Sequence, residues 1–125
     1  MTNAHKKILI VEDSKNYLWI LSQALLAVEE ITIATAGNGE EGLAAAEKEK
    51  PDLILLDITM PKMDGITMAK KLKEAGINTP IIFLTNMSDA KHISDAADTA
   101  KDYIVKADAS VDDIVVRVKE RLNIK

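Results

Sequence analysis

Five short aliphatic runs recur along the chain, each followed by a stretch with a different period. The runs are KKILIV (6–11), ITIATA (31–36), DLILL (52–56), PIIFLT (80–85) and DYIVK (102–106). Three of them are apolar almost throughout. A strand with one wet face alternates apolar and polar residues, so unbroken runs imply strands covered on both faces, as in parallel sheets. Between the runs the spacing becomes helical. Leu18, Leu21, Leu25 and Val28 form a stripe within residues 14–29. Asn38 with Glu41 has the spacing of a capping box, opening an Ala-rich helix that reaches about Lys48. Asp64 can cap a helix that Gly76 ends. Ser110 with Asp113 opens the last helix, where Val111, Ile114, Val115, Val118 and Leu122 share one face. Segment 88–99 offers only Ile93 among alanines as an inward face, and is expected to be the most loosely held helix.

Strand followed by helix, five times over, implies an α/β fold: a doubly wound, five-stranded parallel sheet of (βα)5, flavodoxin-like type. At 125 residues the chain is expected to form one domain, 1–125. Aromatics make up only 3% of it, so the core must be aliphatic. Sixteen basic residues stand against twenty acidic ones, with no Lys/Arg run able to track a phosphate backbone, so direct nucleic-acid binding is not expected. Without cysteine, disulfides and thiolate metal sites are excluded. Neither a signal-peptide h-region nor a membrane-length apolar stretch is present, which makes the cytoplasm the expected location.

The ends of the runs carry the chemistry. The first run ends in Glu12-Asp13, the third in Asp57, the fourth in Thr85 and the fifth in Lys106, whereas the second ends in Ala36-Gly37 with no functional group. Open α/β sheets bind ligands beyond the carboxyl ends of their strands, where the strand order reverses. With the flavodoxin-like order 2-1-3-4-5, all five polar groups fall at one crevice. Three neighbouring carboxylates repel one another. A hard divalent cation relieves that repulsion, and Mg²⁺ favours one or two carboxylates plus a phosphate oxygen. Lys106 and the Thr85 hydroxyl suit the remaining phosphate oxygens, and an aspartate can itself attack phosphorus.

Taken singly, each residue has an ordinary reading. Glu12-Asp13 can begin a helix with Asp13 or Ser14 as cap, Asp57 can mark a loop entry, Thr85 suits a strand end, and Lys106 can be a surface charge. Met60, Met63 and Met68 read as core filler, and His5 and His92 as surface residues. Joint placement at the strand ends is what favours the chemistry.

From ILIVEDS through DLILLDITMPKMDG and PIIFLT to DYIVK, nearly the whole chain resembles the receiver domain of two-component response regulators, of the chemotaxis-receiver type. The resemblance implies that Glu12 and Asp13 are the acidic pair for Mg²⁺, that Asp57 is the phosphoacceptor, and that the Thr59 carbonyl completes the metal's protein ligands. It implies Thr85 as switch hydroxyl, Lys106 as phosphate-contacting lysine, and Tyr103 as the aromatic that reports the state. The implied function is a phosphorelay switch. A partner sensor histidine kinase or histidine phosphotransfer protein supplies the phosphoryl group from a phosphohistidine. The face built by helix four, strand five and helix five then changes, regulating a downstream protein or effector domain. Such a domain catalyses its own phosphorylation and slow hydrolysis without being a turnover enzyme. The resemblance leaves room for a phosphorylation-dependent dimer and implies no membrane partner.

Two positions depart from the family's pattern. Asn86 replaces the usual small residue after the switch threonine, and Ala107 replaces the proline that usually follows the lysine, often through a cis bond. A non-proline cis peptide costs about 2.5–4 kcal/mol, so the bond is either trans or held in a strained turn. Gly42 lies mid-helix, where glycine weakens a helix by up to about 1 kcal/mol. Two rival readings are a haloacid-dehalogenase-type phosphatase, whose D-x-D-x-T motif lacks its second aspartate at DIT (57–59), and a pseudo-receiver used only for binding, against which the complete acidic set argues.

Overall fold

Alternation along the strands explains why the aliphatic runs are unbroken. In the computed structural model, which describes residues 5–86 and 102–125, five parallel strands form one sheet in the order β2-β1-β3-β4-β5. They are β1 (Lys6–Val11), β2 (Ile31–Ala36), β3 (Leu53–Asp57), β4 (Ile81–Thr85) and β5 (Tyr103–Val105). Leu9 and Val11 of β1, Ile54 and Leu56 of β3, and Phe83 of β4 face one core. That core is closed by Ala46 of α2 (Gly39–Glu49) and by Met68, Ala69 and Leu72 of α3 (Gly65–Glu74). Ile8 and Ile10, Leu53 and Leu55, and Ile82, Leu84 and Ile104 face a second core on the other side. There Leu21 and Leu25 of α1 (Lys15–Leu26) meet Ile114, Val118 and Leu122 of the C-terminal helix (Val111–Leu122). Each fully buried aliphatic side chain contributes roughly 1.5–3 kcal/mol. The two-sided burial is the dominant reason the sheet forms.

Local signals set the element ends. Ser14 caps α1, accepting from the Tyr17 amide. Asn38 accepts from the Glu41 amide at 2.9 Å and donates its own amide to the Glu41 carboxylate at 2.7 Å, a side-chain variation on the capping box. Asp64 caps α3 through the Thr67 amide, and Gly76 ends that segment at φ 79°. Ser110 and Asp113 form a full capping box.

Three features differ from the sequence-based expectation. Strand β3 begins one residue later than the run at 52, and ends in Asp57 as expected. Strand β5 is only Tyr103–Val105, and Lys106 opens a 3₁₀ turn, Lys106–Asp108. No cis peptide occurs among the described residues, so the Lys106–Ala107 bond is trans and the turn absorbs the missing proline. Gly42 is more than a weak point in α2, because a β-carbon there would lie 2.8 Å from Met68 Sδ and 2.9 Å from Val11 Cγ1. It lets the helix approach the sheet. Met60 and Met68 are buried and Met63 packs against the same core, as expected of filler. His5 is exposed. Segment 88–99, with Ile93 and His92, lies outside the described residues.

Candidate functional site

Strand register brings the acids together. Val11 pairs with Leu56, so the next residue of each strand, Glu12 and Asp57, emerge side by side at the carboxyl edge. By alternation both fall on the side covered by α1 and the C-terminal helix. So does Lys106, two residues beyond Ile104. Carboxylate oxygens of Glu12, Asp13 and Asp57 all lie within 4.8 Å of one another. Glu12 and Asp57 are buried and Asp13 is exposed, so the cluster opens to solvent on one side.

Lys106 reaches into this cluster from the far end of the sequence. Its Nζ donates to Glu12 Oε1 at 2.7 Å and lies 3.5 Å from Asp57 Oδ1. The other Glu12 oxygen, Oε2, accepts from the Ser14 amide at 3.0 Å. Both Glu12 oxygens are thus engaged, which fixes the carboxylate. Burial pushes the Asp57 carboxyl up to about 7 from an ordinary 3.8, with the Glu12 charge adding to the effect and Lys106 opposing it. Burial alone would lower the Lys106 ammonium, but its hydrogen bond to Glu12 and the charge of Asp57 outweigh this and raise it. The pocket is a place where negative charge is held against its preference. It would gain from a cation.

The structure joins Glu12, Asp13, Asp57 and Lys106, and treats the other predicted site residues differently. Thr85 is fully buried, and its hydroxyl donates to the Asn86 carbonyl at 3.0 Å. Thr59 is exposed in the loop between β3 and α3. Tyr103 lies on edge strand β5, with 45% of its surface exposed. Two participants escaped the sequence reading. One is the Ser14 amide on Glu12. The other is Tyr17, whose ring centroid lies 4.6 Å from Lys106 Nζ. Tyr17 stands four residues before Leu21, so the same stripe that buries α1 carries it inward.

Residues 8–119 match the family model described as the response regulator receiver domain. The chain belongs to the response regulator receiver family. It is 34% identical over 121 residues to the chemotaxis protein CheY of Bacillus subtilis, a match covering 96% of this chain and 99% of that one. The alkaline phosphatase synthesis transcriptional regulatory protein PhoP of Bacillus subtilis is 44% identical over 81 residues, covering 65% of this chain and 33% of that protein. For the transcriptional regulatory protein DltR of Streptococcus agalactiae the identity is 38% over 116 residues, covering 92% of this chain and 51% of DltR. The chain therefore spans about half or less of these longer regulators. In three dimensions, the receiver domain of the Francisella response regulator 1452 superposes with a TM-score of 0.85 at 27% identity, over 95% of this chain and 98% of that one. The BeF₃-activated DrrB receiver domain gives a TM-score of 0.81 at 28% identity, over 95% and 98%. As a receiver domain of two-component response regulators, the chain serves phosphorylation-dependent signalling. Among its described residues no helix is long and apolar enough to cross a membrane.

Proposed function

We propose that residues 1–125 form a single receiver domain that accepts a phosphoryl group on Asp57 from a phosphohistidine of a partner kinase or phosphotransfer protein. The observation that carries the reading is the cluster of three carboxylates within 4.8 Å, with Lys106 set between Glu12 and Asp57. An all-oxygen donor set, open on the Asp13 side, fits a hard divalent cation better than a soft one. Glu12, Asp13 and Asp57, together with the Thr59 carbonyl, would hold Mg²⁺. When bound, the ion neutralises charge on the pocket and on the phosphoryl oxygens.

The chain's own residues have definite tasks. An Asp57 oxygen forms the bond to phosphorus as the bond from phosphorus to the donor imidazole nitrogen breaks, the electron pair leaving with the imidazole. Lys106 opposes the charge that builds on the phosphoryl oxygens. Asp57 attacks only when ionised, so a second cation beside it also favours the reactive form. Thr85 exchanges its bond to the Asn86 carbonyl for a phosphoryl oxygen, and Tyr103 responds beside it. That change passes to the face of β5 and the C-terminal helix, where a downstream protein or effector domain reads it. Asp57 phosphorylation and its slow reversal are catalysed within the domain. A cytoplasmic location, the absence of direct nucleic-acid contact and a phosphorylation-dependent dimer belong to the same reading.

Thermal melts with and without millimolar Mg²⁺ test the site. A ligand at about 100 times its dissociation constant adds roughly 2.7 kcal/mol, so the melting temperature should rise. A Glu12→Gln, Asp13→Asn variant should lose that rise. Equal melting temperatures for the wild type, or an undiminished rise in the variant, would count against the reading.

A further inference from the structure

Tyr17 meets the site with its ring and not with its hydroxyl. The phenol oxygen is buried and has no hydrogen-bond partner among the described residues. An unpaired buried hydroxyl is unfavourable, and no hydrogen bond to a described residue accounts for a tyrosine here. The ring does have a partner, the Lys106 ammonium 4.6 Å from its centroid, and a cation over an aromatic face is attracted by the ring quadrupole. Lys106 is thus held by Glu12 at 2.7 Å, Asp57 at 3.5 Å and the Tyr17 ring. Two of those three partners are carboxylates that a divalent cation would use. The ammonium and a metal ion repel each other, and Glu12 Oε1 cannot serve both at close range.

We propose that Tyr17 is a positioning residue: its ring retains the Lys106 ammonium in the acidic pocket and so sets how tightly the pocket takes a divalent cation. This inference rests on the reading of Glu12, Asp13 and Asp57 as the Mg²⁺ site. The direction follows from competition. Whatever favours the lysine-filled pocket weakens cation binding, because the cation must first draw Glu12 away from the ammonium. An aliphatic residue at position 17 would cover the pocket equally well and offer no such hold. Tyr17 therefore keeps the acidic cluster neutralised at low Mg²⁺ and raises the cation concentration at which Asp57 becomes ready to react.

Calorimetric titration of MgCl₂ into the chain tests this with wild type, Tyr17→Leu, Tyr17→Met, Tyr17→Phe, Lys106→Met and the Lys106→Met, Tyr17→Leu double variant. Loss of the ring in Tyr17→Leu should tighten Mg²⁺ binding by about three- to tenfold. Tyr17→Met gives the same comparison with a more adaptable filler should the leucine variant not fold. Tyr17→Phe retains the ring and should stay within about twofold of wild type. In the Lys106→Met background, removing the ring should change nothing, since the lysine through which it acts is gone. Unchanged or weaker binding in the ring-less variants would overturn the proposal. So would a phenylalanine variant that behaves like leucine, or an effect that persists without Lys106. If no variant, wild type included, binds Mg²⁺, the metal site itself is wrong and the inference falls with it. Binding that ignores Tyr17 sinks the inference alone.

Discussion

Gly65 is packed so closely against Asp57 that a β-carbon at position 65 would collide with the Asp57 carbonyl oxygen. The Gly65 amide also donates to the Ile58 carbonyl at 2.8 Å, and Asp64 caps α3 immediately before it. The first turn of α3 is thereby tied to the end of β3, and the backbone that carries the candidate phosphoacceptor has little freedom. Gly65→Ala must move one of the two backbones. It should cost about 1–3 kcal/mol, the usual range for overpacking, read as a lower midpoint in urea unfolding.

Gly42→Ala sets two effects of opposite sign against each other. Alanine gains up to about 1 kcal/mol of helix propensity. Its β-carbon would press on Val11, a stiff β-branched side chain, at 2.9 Å and on Met68 at 2.8 Å. Met68 can yield and Val11 cannot, so the packing term should win. The variant should be about 1 kcal/mol less stable than wild type in the same unfolding assay.

Asp57 imposes a pH-dependent cost on the fold. Its carboxyl titrates at about 7 in the folded protein against an ordinary 3.8, so the folded state binds this proton more tightly than the unfolded state does. No cost arises below the unfolded value. It grows as pH rises from about 4 and is complete above about 7. Asp57→Asn removes it. In metal-free buffer the variant should match wild type near pH 4 and exceed it by on the order of 2–4 kcal/mol at pH 8, at about 1.4 kcal/mol per pKa unit. Denaturant melts at both values decide this. A variant with no advantage at pH 8 would show that the pocket does not strain the carboxylate.

Most of the fold was legible because the two-sided burial of the sheet leaves its mark in unbroken runs such as Leu53–Leu56, and because Asn38, Asp64 and Ser110 announce helix starts. The acids and Lys106 were legible as strand ends. What could not be read was distance across the sequence. Tyr17 precedes Lys106 by most of the chain, and only the pairing of α1 with the C-terminal helix side brings them to 4.6 Å. Gly42 reads as a defect locally and as a close approach once Val11 and Met68 are beneath it. Ala107 left the peptide geometry open, and the 3₁₀ turn at Lys106–Asp108 settles it as trans.

In the proposed switch the Thr85 hydroxyl changes partner, leaving the Asn86 carbonyl that it donates to at 3.0 Å. Thr85→Ala should still bind BeF₃⁻ at Asp57 in the presence of Mg²⁺. It should lose most of the response of β5 and the C-terminal helix. Amide chemical shifts of residues 102–117, recorded with and without BeF₃⁻, report this. A full wild-type shift pattern in the alanine variant would mean that the signal takes another route. Coupling of about 1–3 kcal/mol between such sites is enough for a reversible switch.

Covalent labelling puts the central claim to its most direct test. Incubated with acetyl phosphate and Mg²⁺, the wild-type chain should acquire a single phosphoryl adduct, located by mass spectrometry to the peptide containing Asp57. Chelating the metal should abolish it. Asp57→Asn, which keeps the size and removes the nucleophile, should remain unlabelled. A phosphoryl group on the Asp57→Asn variant at the wild-type level, or on any other residue of the wild-type chain in place of Asp57, would contradict the assignment of Asp57 as the acceptor.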